Sequence, residues 1–162
     1  MLRKIFKAFL TLCCMALALI CLLCGCASQE AALPDVNTLV SRFLTEQTFT
    51  DELQPLAPEV ALALYKVSGT DVAASAVYTG TGATAEEVAV FEAANTEAAD
   101  RIRAAAEARI ADQKQSFENY IPTEIPKLEQ AVVAGRDTTV VLCVPAESDD
   151  TARSICSEYG LQ

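Results

Sequence analysis

Residues 131–144, AVVAGRDTTVVLCV, contain two apolar runs separated by a short polar segment. The runs Ala131–Ala134 and Thr138–Val144 have the valine content and length of β-strands, and Gly135–Asp137 between them predicts the turn of a β-hairpin. A strand with one face in water alternates apolar and polar residues, whereas these runs are apolar on both sides. The hairpin therefore predicts a sheet with helices on both faces, or a sheet with one face that awaits a partner.

An alanine-rich segment before this hairpin predicts the longest helix. It opens at Asn95 or Thr96 and ends by Tyr120, because Pro122 disfavours a helical conformation for Ile121. The spacing of apolar residues places a buried stripe on one face and most of the charges on the solvent side. The stripe comprises Ala99, Ile102, Ala106, Ile110, Gln113 and Phe117, and the solvent side comprises Arg101, Arg103, Glu107, Arg109 and Asp112.

A second hairpin and three shorter helices complete the predicted fold. The hairpin strands are Val72–Thr79 and Glu86–Ala93, although Thr84 and Glu87 could also open a helix between them. The helices run from Asp35 to Gln47, from Pro58 to Gly69, and from Ser148–Asp150 to Gly160, with one further helical turn between Pro122 and Gln130. We predict a single α+β domain over residues 35–162, with a four-stranded, mainly antiparallel sheet of two β-hairpins packed with helices.

Residues 1–25 have the pattern of an export signal. Basic residues without any acid precede the almost wholly apolar run Phe9–Leu23, which is shorter than the roughly 20 residues that span a bilayer as a helix. The end of the run, LCGC over residues 23–26, resembles a bacterial lipobox. The resemblance implies that a diacylglycerol is attached to Cys26 and that the signal is cleaved between Gly25 and Cys26, leaving residues 26–34 as a tether. An uncleaved anchor, or cleavage elsewhere by ordinary signal peptidase, is the alternative.

The composition excludes several kinds of protein. The chain contains no histidine, which removes Ser-His-Asp and Cys-His catalysis and histidine-based metal sites. Beyond the predicted signal, nine basic residues stand against 22 acidic ones, and such a surface repels nucleic acid. We predict no catalytic residue, no metal and no cofactor.

The remaining groups with possible chemistry have structural explanations. Glu86 and Glu87 are neighbours in a predicted strand and should point to opposite faces, while Asp149 at a helix start acts in capping. Cys143 and Cys156 lie in apolar surroundings, and although they could pair outside the cell, we predict free, buried thiols.

Two segments carry a family resemblance, together with the hairpin at 131–144. They are GTGATAEEVAVF at residues 80–91 and ARIADQKQSFENYIP at residues 108–122. Over residues 62–157 the chain resembles the uncharacterised DUF4358 lipoproteins of Firmicutes, although Arg136–Thr138 stands where members of that family often have Gly-Asn-Tyr. The resemblance implies a lipid-anchored protein on the outer face of the cytoplasmic membrane of a Gram-positive cell. It implies no known activity.

One helix end is a candidate partner surface. Phe117, Asn119, Tyr120 and Pro122 bring two aromatic rings, an amide and a proline together, although Phe117 and Tyr120 could equally be core residues and Pro122 a stop signal. We expect a membrane-anchored, extracytoplasmic lipoprotein with a non-enzymatic binding or accessory role toward an unknown protein or cell-envelope ligand. The alternatives are an enzyme that uses only carboxylates on cell-wall glycans, and a self-associating structural module.

The lipobox predicts the outcome of one substitution. Cys26→Ala should abolish incorporation of a fatty-acid label and release the chain from the membrane, because the Cys26 thiol carries the lipid. Cys24→Ala is the matched control and should keep the label, since it leaves Leu23, Gly25 and Cys26 in place. An intact mass that shows an unmodified mature chain beginning at any other residue would contradict the prediction.

Overall fold

The computed structural model of the chain describes residues 31–162. The predicted signal, Cys26 and the start of the tether lie outside the described residues. The helices are α1 (Val36–Glu46), α2 (Pro58–Tyr65), α3 (Thr96–Glu118), α4 (Ile125–Glu129) and α5 (Asp150–Glu158), with a 3-10 turn at Pro122–Glu124. The strands are β1 (Gln54–Pro55), β2 (Val72–Thr79), β3 (Glu87–Ala93), β4 (Val132–Arg136) and β5 (Thr139–Val144). No helix within residues 31–162 combines the length and the apolar character needed to cross a membrane.

The strands form one antiparallel sheet in the order β1-β2-β3-β5-β4. The two predicted hairpins are present, and the pairing of β3 with β5 joins them. The prediction of four strands is wrong by one, because β1 adds a fifth at the edge. Its two residues pair Gln54 with Thr79 and Pro55 with Tyr78. A proline is tolerated at a sheet edge, where its missing N–H does not interrupt the ladder.

The hairpin of β4 and β5 turns more tightly than predicted. Gly135 and Arg136 belong to β4, and Arg136 pairs with Thr139, so the connection consists of Asp137 and Thr138 alone. Asp137 has a φ of 53°, a left-handed conformation that aspartate adopts more readily than most residues. A two-residue connection of this kind favours the close pairing of strands in a hairpin.

Helices cover both faces of the sheet. Phe91, Val140 and Leu142 point to the face on which α2, α3 and α4 pack, whereas Val90 and Val141 point to the face on which α1 and α5 pack. This alternation of direction, with both directions buried, explains why the β5 sequence is apolar throughout. Of the two predicted arrangements, the structure has the one with helices on both faces.

The helices largely agree with the predicted periodicity. Asp35 caps α1 by accepting from the Asn37 and Thr38 N–H groups, and Asn95 caps α3 by accepting from the Ala98 N–H. The alternative helix that would begin at Thr84 does not form, and β3 begins at Glu87. The second helix ends at Tyr65, earlier than predicted, because Lys66 adopts the left-handed conformation with a φ of 56°.

The two ends of the described chain lie against the domain. The Gln162 N–H donates to the Gly135 carbonyl at 3.0 Å, and the Gly135 N–H donates to the Gln162 oxygen at 2.9 Å. The Ala31 N–H donates to the Glu158 carbonyl at 3.1 Å, so the last part of the predicted tether contacts α5. The two bonds between Gly135 and Gln162 continue the backbone pairing at the outer edge of β4.

The burial of two thiols generates a prediction. Cys143 in β5 and Cys156 in α5 are free and buried in the same core cluster, as the sequence predicts. Burial raises the pKa of Cys143 well above its usual range and that of Cys156 to about 11, so neither forms the reactive thiolate near neutral pH. Within residues 31–162, labelling with a thiol reagent should modify neither cysteine in the native state and both after unfolding. The absence of thiols after unfolding without a reductant would show that the two are joined.

Candidate functional site

The start of β3 carries two adjacent carboxylates inside the protein. Glu86 is 1% exposed and Glu87 is not exposed at all. A buried carboxylate is costly unless it is paired and hydrogen-bonded. The partners of these two side chains therefore organise this end of the molecule.

Glu86 is held by the segment that follows α1 and by α4. Its Oε2 accepts from the Thr50 N–H at 2.7 Å and the Asp51 N–H at 3.0 Å, and its Oε1 accepts from the Thr50 hydroxyl and from Lys127 Nζ at 2.7 Å. Lys127 also pairs with Glu124 at 3.1 Å, and Glu124 accepts from the Ala85 N–H. The Glu86 carboxylate thus joins the start of β3 to the Thr50–Asp51 segment and to α4.

Glu87 is held by two other helices, α2 and α3. Its Oε1 accepts from the Tyr65 hydroxyl, and its Oε2 accepts from Arg109 Nε and Nη2 at 3.2 and 2.9 Å and from Gln113 Nε2 at 3.3 Å. The Arg109 side chain is only 19% exposed, so its predicted place on the solvent side of α3 is wrong. Arg109 lies three residues after the buried Ala106 and four before Gln113, a spacing that keeps all three on one face of the helix.

The two carboxylates are saturated with hydrogen bonds. A carboxylate offers about four acceptor positions, and each of these two accepts four hydrogen bonds. Glu86 and Glu87 have separate sets of partners, but both line the same cleft, so the prediction that they point to opposite faces and do not converge is not confirmed. What the sequence reasoning missed is that both are buried and that Tyr65, Arg109 and Lys127 are their partners.

The surroundings of Glu86 and Lys127 favour their charged forms, and those of Tyr65 favour its protonated form. Burial alone would raise the pKa of Glu86, but hydrogen bonds from Asp51, Lys127 and Thr50 outweigh it and hold the pKa below its usual value. Burial would lower the pKa of Lys127, and its two glutamate partners reverse this. Burial and the charge of Glu87 raise the pKa of Tyr65, which therefore stays protonated and donates. This arrangement holds charges in place and leaves Glu86 neither a proton donor nor a free base at neutral pH.

An open cleft of about 400 Å³ lies over Glu87 and its partners. Glu87, Arg109 and Gln113 line one part of it, and the Gly80–Thr84 loop lines another. Apolar side chains line the rest, namely Leu56, Val60, Leu64 and Phe117. Val60 is 52% exposed. The volume of the cleft lies within the range of small-molecule sites.

Asp51 shapes the loop at the rim of the cleft. Its Oδ2 accepts from the Thr81 N–H at 2.8 Å, the Thr81 hydroxyl at 2.9 Å and the Thr84 hydroxyl at 3.1 Å, and the bonds from Thr81 and Thr84 lower the pKa of Asp51. A Cβ at Gly80 would lie 2.7 Å from this oxygen, so only glycine fits there. As predicted, the Gly80–Gly82 segment is a loop, and its hydrogen bonds are internal to the protein.

A second groove, of about 550 Å³, is a weaker candidate. It lies between residues 33–37 and the turn of β4 and β5. Its charged groups are engaged within the protein, because Glu92 accepts from Thr138 and Thr139 and Arg136 donates to the Tyr159 carbonyl. In the cleft over Glu87, Arg109 and Gln113 lie beside a larger apolar wall.

The predicted partner corner divides between core and surface. Phe117 is 8% exposed and lines the cleft, whereas Asn119, Tyr120 and Pro122 are exposed and Tyr120 reaches 76%. The alternative that both aromatic residues are core therefore holds for Phe117 and fails for Tyr120. Within residues 31–162, no three His, Cys, Asp or Glu side chains are grouped in a way that could hold a metal ion.

Residues 51–145 match the family described as a domain of unknown function (DUF4358). The chain belongs to the DUF4358 family. The matched range begins at residue 51 rather than 62 and ends at 145 rather than 157, so it includes Asp51, both glutamates and every residue that lines the cleft. No curated protein and no solved structure was found to match the chain.

The lowered pKa of Glu86 generates a prediction about pH and stability. Glu86→Gln should reduce the free energy of unfolding by about 3 kcal/mol near neutral pH, because Lys127 loses the charge that it faces inside the protein. A carboxylate with a depressed pKa stabilises the fold above its unfolded value, here near 4.5, and loses that contribution as the pH falls through the folded value. Urea unfolding of wild type and variant at about pH 7 and about pH 3.5 should therefore show a large difference that shrinks in acid.

The control for this experiment is Glu52→Gln. Glu52 is exposed, and its substitution should change the free energy of unfolding by no more than about 0.5 kcal/mol at either pH. An equal loss of stability at both pH values for Glu86→Gln would contradict the role of its charge.

Proposed function

We propose that this DUF4358 protein is a lipid-anchored, extracytoplasmic binding or accessory module, and that the cleft over Glu87 is its binding site. The observation that supports this most is the saturation of both buried carboxylates at an open cleft. Carboxylates that each accept four hydrogen bonds from protein donors shape and polarise a site. The cleft then offers contact surface and hydrogen bonds rather than a nucleophile and a base.

The proposed location rests on the sequence. The run of apolar residues ends in LCGC at residues 23–26, which resembles a lipobox and implies a lipid on Cys26. Two acyl chains are enough for stable anchoring. The anchor would hold the chain at the outer face of the cytoplasmic membrane, where envelope polymers and other membrane proteins are within reach.

The two alternatives have less support. A glycosidase needs one carboxyl group with a raised pKa as the acid and a second carboxylate free to act on substrate or water. Glu86 has a lowered pKa, and Glu87 accepts from Tyr65, Arg109 and Gln113. Self-association through an open sheet face has less support, because helices cover both faces of the sheet.

Blocking the cleft should separate binding from folding. Val60→Glu places a charged side chain at the apolar wall, and because Val60 is half-exposed on α2 the change should leave the melting temperature nearly unaltered. Ala63→Glu puts the same side chain on the same helix at an exposed position outside the cleft. In cells that carry the full-length chain, cross-linking followed by affinity capture should recover an envelope component with wild type and Ala63→Glu. Val60→Glu should reduce that recovery at least tenfold.

Two results would overturn the proposal. The first is a capture that Val60→Glu leaves unchanged, since the cleft would then take no part. The second is turnover of peptidoglycan fragments by the purified chain, lost on substitution of a single Asp or Glu, since the protein would then be an enzyme.

A further inference from the structure

The outer edge of β2 is only partly paired. The short strand β1 occupies the last part of this edge, and the final contact is the Leu56 N–H, which donates to the Val77 carbonyl at 2.8 Å. Pro58 then begins α2, so the chain turns away from the edge. Within residues 31–162, no strand pairs with this edge before Val77.

Ser75 presents backbone groups at the unpaired part of the edge. The backbone N–H and C=O groups of an antiparallel strand alternate between its two neighbours. Because Val77 faces β1, Ser75 faces the same outer side and Ala76 faces β3. The Ser75 N–H and carbonyl therefore point away from β3, and no strand of residues 31–162 lies opposite them. One donor and one acceptor in this arrangement are a template for a further strand.

A groove of about 350 Å³ runs along the same part of β2. It is lined by Val72–Ser75, by Val36 and Asn37 at the start of α1, and by Pro58 and Leu62 of α2. The helices α1 and α2 pack on opposite faces of the sheet, so a groove that borders both lies beyond the edge of β2. Its two walls leave room for a single extended segment and exclude the edge of a whole second sheet.

The walls of the groove determine which side chains fit. Val77 points to the face on which α2 packs, and Ser75 points the same way. A residue paired with Ser75 would have its side chain on that face, near Leu62, where an apolar group is favoured. Its neighbours would point toward α1, where the exposed Asn37 favours small polar groups. The excess of acidic residues beyond the predicted signal repels an acidic segment and attracts a basic one.

We propose that the edge of β2 between α1 and α2 binds an extended segment of a partner protein, which adds an antiparallel strand opposite Ser75. The segment has an apolar side chain toward α2, small polar ones toward α1, and basic residues at its ends. Backbone hydrogen bonds supply affinity in this mode of recognition, and alternate side chains supply specificity. The groove and the cleft over Glu87 share no lining residue, so this surface is additional to the proposed binding site.

Hydrogen exchange of single amides, followed by NMR on the full-length chain in detergent micelles, tests the pairing. In the free chain the Ser75 amide should exchange much faster than the Ala76 amide, which is paired with β3. The blocked peptide acetyl-KVSVSVK-amide, at saturation in the millimolar range, should slow exchange at Ser75 at least about tenfold. The peptide acetyl-KVSPSVK-amide should have little effect, because its proline removes the N–H that would bind the Ser75 carbonyl. The peptide acetyl-EVSVSVE-amide should bind at least about tenfold more weakly, because its ends are acidic.

Variants locate the binding. Ala73→Arg places a long side chain in the groove at an exposed position, so it should leave the melting temperature nearly unaltered and weaken binding of KVSVSVK at least about tenfold. Ala63→Arg makes the same change at an exposed position outside the groove and should leave binding unchanged. Val60→Glu lies in the cleft over Glu87 and should also leave it unchanged, which separates this inference from the proposed function.

Four results would overturn the inference. The first is a Ser75 amide as protected as the Ala76 amide in the free chain, since the chain itself would then close the edge. The second is protection that disappears on dilution together with a dimer in sedimentation, since a second copy would then occupy the groove. The others are equal effects of KVSVSVK and KVSPSVK on exchange at Ser75, including no effect of either, and equal effects of Ala73→Arg and Ala63→Arg on binding.

Discussion

Two adjacent buried carboxylates, Glu86 and Glu87, need counter-charges inside the protein, and the segments around them supply these. Glu86 lies just before β3 and Glu87 is its first residue, and each carboxylate has its own counter-charge. Glu87 obtains Arg109 from the long helix, and Glu86 obtains Lys127 from the short one. Removing one partner from a buried ion pair costs about 3–5 kcal/mol, a large share of the roughly 5–15 kcal/mol that stabilises a domain. The segments that supply these partners are therefore stable only together.

The rim of the cleft depends on the same constraint. Asp51 donates its N–H to Glu86 and accepts from Thr81 and Thr84 with its carboxylate, so the glycine-containing loop is tied to the buried charge through one residue. A change at Glu86 would be transmitted to the loop and hence to the width of the cleft. The hydrogen bonding of Glu86 and the shape of the candidate site therefore depend on each other.

The strands and helix starts that depend mainly on nearby residues were predicted correctly from local sequence patterns. The apolar run at 140–144 predicted either helices on both faces of the sheet or one face that awaits a partner, and the structure has the first. Capping residues such as Asn95 marked where helices begin. The two-residue strand at Gln54–Pro55 has no propensity signal, because it exists only through pairing with β2. The partners of Glu87 are Tyr65 and Arg109, each 22 positions away in sequence, and Gln113, 26 positions away. They belong to other helices, so the periodicity within one helix or strand cannot predict these contacts. Membrane anchoring and ligand class remain proposals, since they concern residues outside the described part of the chain and molecules other than it.

The edges of the sheet determine how copies of the protein behave toward one another. An open strand edge is a template on which another chain can add a strand. Here β2 carries a bulge between Val72 and Ala74 and a short proline-containing neighbour, while on the far side Gln162 occupies the backbone groups of Gly135. If the chain is lipid-anchored as proposed, copies would be concentrated on a membrane surface. The blunted edges would then disfavour edge-to-edge pairing between them.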